Sequence, residues 1–99
     1  MPFKVKAQVE DSSLSISSNI AEGYARRTAK ENLRFYEIAL GSLAECYSQM
    51  FALTLTEQVS KEDFDRFDSK SFELENKLIA MNKSLIAKIK AGSEWKSEY

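Results

Sequence analysis

From Leu33 to Met50 the apolar residues fall alternately three and four apart: Leu33, Tyr36, Leu40, Leu43, Tyr47 and Met50. Spacing of this kind draws one stripe along an α-helix and is useless to a strand, whose faces alternate every second residue. Phe64, Phe67, Leu74, Leu78, Met81, Leu85 and Ile89 carry the same rhythm through the second half of the chain. Each stripe is broadened. Phe35, Ile38 and Phe51 widen the first, and Phe72, Ile79 and Ile86 form a parallel row seven apart beside the second. A helix with so wide an apolar face must pack against more than one neighbour.

The helix ends are marked by caps. Thr28-Ala29-Lys30-Glu31 is a capping box, in which the Thr28 hydroxyl accepts from the Glu31 backbone while the Glu31 carboxylate reaches back. Ser60-Lys61-Glu62-Asp63 is a weaker version, and Lys88, Lys90 and Gly92 suit a C-terminal end. The reading is an all-α, up-down antiparallel bundle of the four-helix-bundle type, a single domain over 1–99. Its long helices cover about 7–26, 29–54 and 61–91, followed by a tail over 92–99. Asp68-Ser69-Lys70-Ser71 interrupts the last apolar seam and marks a candidate break.

The first helix raises its own question, because residues 12–18 contain five serines in seven positions while Val9, Ile16 and Ile20 keep helical spacing. Serine is a mediocre helix former whose hydroxyl competes for the backbone. Small residues are useful where two helices approach closely, since interaxial distance follows side-chain size. The middle of the next helix supplies a matching patch, Ala39, Gly41, Ser42 and Ala44. Ser13 and Ser17 are therefore expected at the close contact, facing Gly41 and Ser42, and the remaining serines are expected to face solvent.

Composition removes whole classes of chemistry. There is no histidine among the 99 residues, which eliminates the usual general base, the Ser-His and Cys-His pairs and the commonest metal ligand. No catalytic residue, cofactor or small-molecule substrate is expected, and a di-metal centre in a bundle would need Glu-x-x-His pairs. Cys46 is alone, so no intrachain disulfide forms, which suits a reducing cytoplasm; beside Leu43 and Tyr47 it reads as a small buried hydrophobe. No run approaches the ~20 apolar residues of a membrane span. The 14 basic and 15 acidic residues give a net charge of −1, too balanced for the whole chain to bind polyanions by charge alone.

Local groupings remain. Arg26, Arg27, Lys30 and Arg34 are the best basic cluster, with Tyr24 placed to stack on a base. Such clusters are usually solvated, and Lys30 and Arg34 also have Glu31 and Glu37 beside them. Glu22, Arg34 and Glu45 would serve as a structural ion pair fixing helix register, since an unpaired buried charge is very costly. Trp95 in the last stretch would be an interaction point if exposed.

Taken in order, SISSNIAEGYARR, Arg34-Phe35, Ile38-Ala39-Leu40-Gly41-Ser42-Leu43 and Glu45 resemble the four-helix-bundle proteins encoded in 23S rRNA intervening sequences. The accessory variability determinant of diversity-generating retroelements belongs to the same family. The resemblance covers about residues 12–50, and the last helix only by pattern. It implies a bundle protomer that assembles into a ring-like homo-oligomer, commonly a pentamer, with no enzymatic activity established. In the retroelement branch it implies a basic accessory to a reverse transcriptase and nucleic acid. Two departures stand out. The family has another amphipathic helix before the S-N-I-A-E-G helix, where this chain has barely ten residues. It also often carries a basic pair where this chain has Glu10-Asp11, which weakens a nucleic-acid role.

The expectation is thus a non-enzymatic, cytoplasmic, self-assembling scaffold. The wide apolar faces should meet other copies through Ser13, Ser17, Ile20, Phe35, Ile38, Gly41, Ser42, Phe72, Ile79 and Ile86. The groove left by a missing helix would be closed by a partner or by the Trp95/Tyr99 tail. The alternative is an accessory that binds RNA, DNA or a reverse transcriptase through Arg26, Arg27, Lys30 and Arg34 multiplied around a ring.

Overall fold

The computed structural model describes residues 3–92. Three α-helices follow one another, α1 (Phe3–Ala25), α2 (Ala29–Leu55) and α3 (Lys61–Lys90), and no strand occurs among the described residues. They run antiparallel, and α2 is the middle layer: α1 and α3 each neighbour its backbone and not each other's. Trp95 and Tyr99 lie outside the described residues.

Both N-terminal caps form. Thr28 is extended (φ −103°, ψ 150°) and its Oγ1 accepts from the Glu31 backbone N–H at 3.2 Å. The Glu31 carboxylate meets the Thr28 hydroxyl, at 3.1 Å, rather than the backbone. Ser60 Oγ accepts from the Asp63 N–H at 3.1 Å. The end of α2 closes without glycine. Gln58 N–H donates to Leu53 O at 2.9 Å and Glu57 sits in the left-handed region (φ 63°), a conformation usually left to glycine.

Two boundaries differ from the sequence reading. The first helix starts at Phe3, four residues ahead of the expected start, and α3 runs unbroken through Asp68–Ser71. Four polar residues without proline or glycine cost only a few tenths of a kcal/mol each in helix propensity. That is less than Phe67 and Leu74, on either side, recover by packing on the core.

The core is a thin double row. Ile16, Leu43 and Cys46 form one buried group, and Tyr36, Ala39 and Leu78 the other. Half-buried Ile20 and Leu74 pack against both groups and join them. Near the α2–α3 turn, Tyr47, Phe51, Phe64 and Phe67 stack with ring centroids 5.5–6.3 Å apart. The result is a slab of 49 × 22 × 18 Å with a radius of gyration of 15.9 Å, against roughly 13 Å for a compact domain of 100 residues.

Candidate assembly surface

The serine-rich stretch does bring α1 close to α2, but in a different register from the one expected. The hydroxyl of buried Ser12 lies 3.1 Å from Val9 O and 2.8 Å from Gln49 Oε1, its one proton shared between the two acceptors. Ser15 Oγ meets Ser42 Oγ at 2.7 Å, and Asn19 Nδ2 donates to Ser15 O at 2.8 Å. Ser13 and Ser17 are exposed, with the Ser17 hydroxyl turned onto Leu14 O in its own helix. The reason is angular. Ile16 anchors the buried face, and Ser12, Ser15 and Asn19 flank it toward α2, whereas Ser13 and Ser17 flank its other side.

The glycine that permits close approach is likewise Gly23, not Gly41. A Cβ at Gly23 would stand 2.7 Å from Tyr36 Cε1 and 3.0 Å from Phe35 Cβ, while one at Gly41 would meet nothing within 4 Å. Just beyond, Asn32, 1% exposed, donates from Nδ2 to Arg26 O and to Gly23 O, the latter also accepting from the Arg26 backbone N–H at 3.2 Å, so that it ties down the carbonyls where α1 ends. The sequence reading passed over Asn32. Its signal was a polar residue on an apolar face, opposite a helix end that has no glycine cap. Burial and the nearby Tyr24 hold the Tyr36 phenol above its ordinary pKa.

The expected ion pair of Glu22, Arg34 and Glu45 is replaced by one centred on Arg26. Its guanidinium lies 3.1 Å from Glu22 and 3.8 Å from Glu31, and 4.9 Å above the Phe35 ring. Arg34 approaches the same ring at 6.0 Å. Glu45 is exposed and accepts from Gln49 Nε2 at 3.3 Å. Separation along α2 is the cause: Arg34 and Glu45 are eleven residues apart, about three turns. Phe35 is half-buried with these two arginines at its ring, and Arg27, Lys30 and Arg34 are exposed.

Large apolar side chains remain uncovered on this protomer. Phe51 is 49% exposed, Leu55 70% and Phe72 65%; Ile38, Ile79 and Ile86 are also exposed. Of the other positions expected at an interface, Ile20 is used inside the protomer, packed against both core groups. Beside Phe72 a cleft of about 310 Å³ opens between α2 and α3. Leu43, Ala44 and Tyr47 line one wall, Asp68, Phe72 and Glu75 the other. A hydrogen bond to the Asp68 carboxylate, with some burial, raises the Tyr47 phenol above its ordinary pKa.

Folding also sorts the charges. The Ser15–Ser42 contact and the cleft joining Leu43 to Phe72 mark one level near mid-length. On one side of it, residues 17–41 and 74–92 hold eight basic and four acidic side chains; on the other, residues 3–16 and 42–73 hold five basic and nine acidic. The stretch 76–92 contributes four lysines and no carboxylate. Antiparallel packing sets these lysines at the same end as Arg26, Arg27, Lys30 and Arg34. None of the helices is long and apolar enough to cross a membrane, among the described residues.

A family model described as the 23S rRNA-intervening sequence protein matches residues 2–80. A crystal structure of a protein of unknown function from the S23 ribosomal protein family of Bacteroides thetaiotaomicron VPI-5482 superposes with a TM-score of 0.80. It is 26% identical, and the match covers 83% of this chain and 76% of that one. No curated protein matches.

Proposed function

Because the chain belongs to the 23S rRNA-intervening sequence protein family, we infer that it acts as a non-enzymatic helical scaffold that binds further copies of itself. The observation that carries this reading is the uncovered apolar surface. Phe51, Leu55 and Phe72 are about half or more exposed, although α2, the helix with most to bury, already has a neighbour on each side. Monomeric proteins seldom leave contiguous apolar patches of several large side chains in water. Contact with another copy would remove them at ~25 cal/mol per Å².

The resemblance favours a ring, with five copies the expected number. Light scattering or native mass measurement at micromolar protein is the test. An assembly that disperses only on dilution supports the reading, and a monomer throughout sinks it.

A second reading rests on the sorted charge. An end with eight basic and four acidic side chains would attract a polyanion despite the near-zero total, and parallel copies would multiply it. Reversing the charge of Arg26, Arg27, Lys30 and Arg34 should then abolish salt-sensitive retention of RNA or DNA. Absence of any retention at low salt would dispose of it. Within this set Arg26 lies against the carboxylates of Glu22 and Glu31.

A further inference from the structure

The cleft beside Phe72 carries an ordered set of polar groups. Its α3 wall presents Asp68, Ser71, Phe72 and Glu75; offsets of three, four and seven residues place them on one face of the helix. Tyr47, across the opening on α2, hydrogen-bonds the Asp68 carboxylate. Glu75 has neither an ion pair nor a hydrogen bond among the described residues. No lysine or arginine among them lines the cleft.

Ser71 is the informative member. It lines the cleft, is 8% exposed, and its hydroxyl has no hydrogen-bond partner among the described residues. Buried polar groups are ordinarily paired, so a donor entering the cleft meets an unused acceptor. Two carboxylates call for positive charge, and the rings of Tyr47 and Phe72 suit both a cation and the methylenes beside it. The cleft also opens at the border of the acidic half, with its nine acidic and five basic side chains, whose field draws in polycations.

Spacing narrows the class of cation. Asp68, Ser71 and Glu75 follow one another along the helix axis at rises of about 4.5 Å and about 6 Å. In a triamine with one three-carbon and one four-carbon arm, the nitrogens stand about 5 Å and about 6 Å apart when the chain is fully staggered. A single ammonium meets one carboxylate and leaves the other. A divalent metal ion fits poorly, because no group of three or more histidine, cysteine or carboxylate ligands occurs among the described residues.

We propose that this cleft binds a linear aliphatic polyamine, laid along α3 with its terminal ammonium groups on Asp68 and Glu75 and its middle nitrogen at Ser71. Phe72 and Tyr47 flank the methylenes. The site goes beyond self-association and does not depend on it, because every contact lies within one protomer.

Titrating the chain with spermidine at fixed ionic strength, followed by calorimetry, tests the proposal. One spermidine should bind per chain, at least tenfold more tightly than butylamine, the counterpart of a single lysine side chain. The eight-carbon diamine has a methylene in place of the middle nitrogen and should bind severalfold more weakly than spermidine. Ser71→Ala should narrow that difference, and Asp68→Asn and Glu75→Gln should each weaken spermidine at least threefold. Circular dichroism establishes that the variants remain helical. Amide NMR shifts of the wild type, which require no variant to fold, should cluster at residues 43–47 and 68–75.

Spermidine held no better than butylamine, charge variants that bind like the wild type, or shifts spread over the whole surface would each overturn the site. So would release by an equal charge of magnesium, the mark of diffuse counterion exchange. A preference over the eight-carbon diamine that survives intact in Ser71→Ala would remove the middle contact and with it the three-point match.

Discussion

Tyr36 lies across Gly23 so closely that a Cβ on the glycine would stand 2.7 Å from its ring. This contact closes the α1–α2 hairpin and lets Asn32 reach the carbonyls at the end of α1. Gly23→Ala should therefore lower stability by about 1–3 kcal/mol through overpacking, even though alanine is the better helix former. Gly41→Ala, where nothing lies within 4 Å, should raise it by up to ~1 kcal/mol. Urea midpoints of the two variants, measured at one protein concentration, give the signs; equal effects would show that the packing around Gly23 yields freely.

The serines divide in the same way. Ser12→Ala removes a buried hydroxyl that bridges Val9 O and Gln49 Oε1 and should cost roughly 1 kcal/mol. Ser13→Ala and Ser17→Ala replace exposed serines with a stronger helix former and should be neutral or slightly stabilising. A cost at Ser13 as large as that at Ser12 would contradict the register described above.

Asn32 has no substitute among natural side chains. Asn32→Ala takes the side-chain donor from Arg26 O and leaves Gly23 O only the Arg26 N–H, and an unsatisfied buried group costs about 1–3 kcal/mol. Asn32→Asp keeps the shape but offers only acceptors to those carbonyls, so it should be worse than alanine near neutral pH. Thermal unfolding of the two variants ranks them, and an aspartate variant as stable as wild type would rule out the capping role.

Asp63 supplies a pH dependence. Its hydrogen bonds from Arg66 and from Ser60 lower its pKa in the folded state. The stabilisation is therefore present above the unfolded aspartate value of ~3.9 and is lost as pH falls through the lower folded value. Asp63→Asn should flatten the stability curve in that acid window and leave it parallel to wild type at higher pH. Denaturation midpoints from pH 2 to 7, on the order of a full carboxylate titration, provide the check.

The helix starts at Thr28 and Ser60 were legible in the sequence because a cap is local: the hydroxyl and the backbone N–H it accepts from lie within four residues. The start of α1 was less so, for it carries no acidic first turn and its serines blur the apolar stripe. With five serines in seven positions, helical spacing alone cannot decide whether Ser12 or Ser13 meets a neighbour; Gln49 and Ser42 decide it from across the interface. Gly23 and Gly41 look alike in the sequence for the same reason, since only the position of Tyr36 tells them apart.

Separation of charge along a slab 49 Å long has a practical outcome that a total of −1 conceals. The protein is a small electric rod. Near neutral pH it should be retained by cationic and by anionic resins alike, each gripping the opposite tip, and modest salt should release it from both.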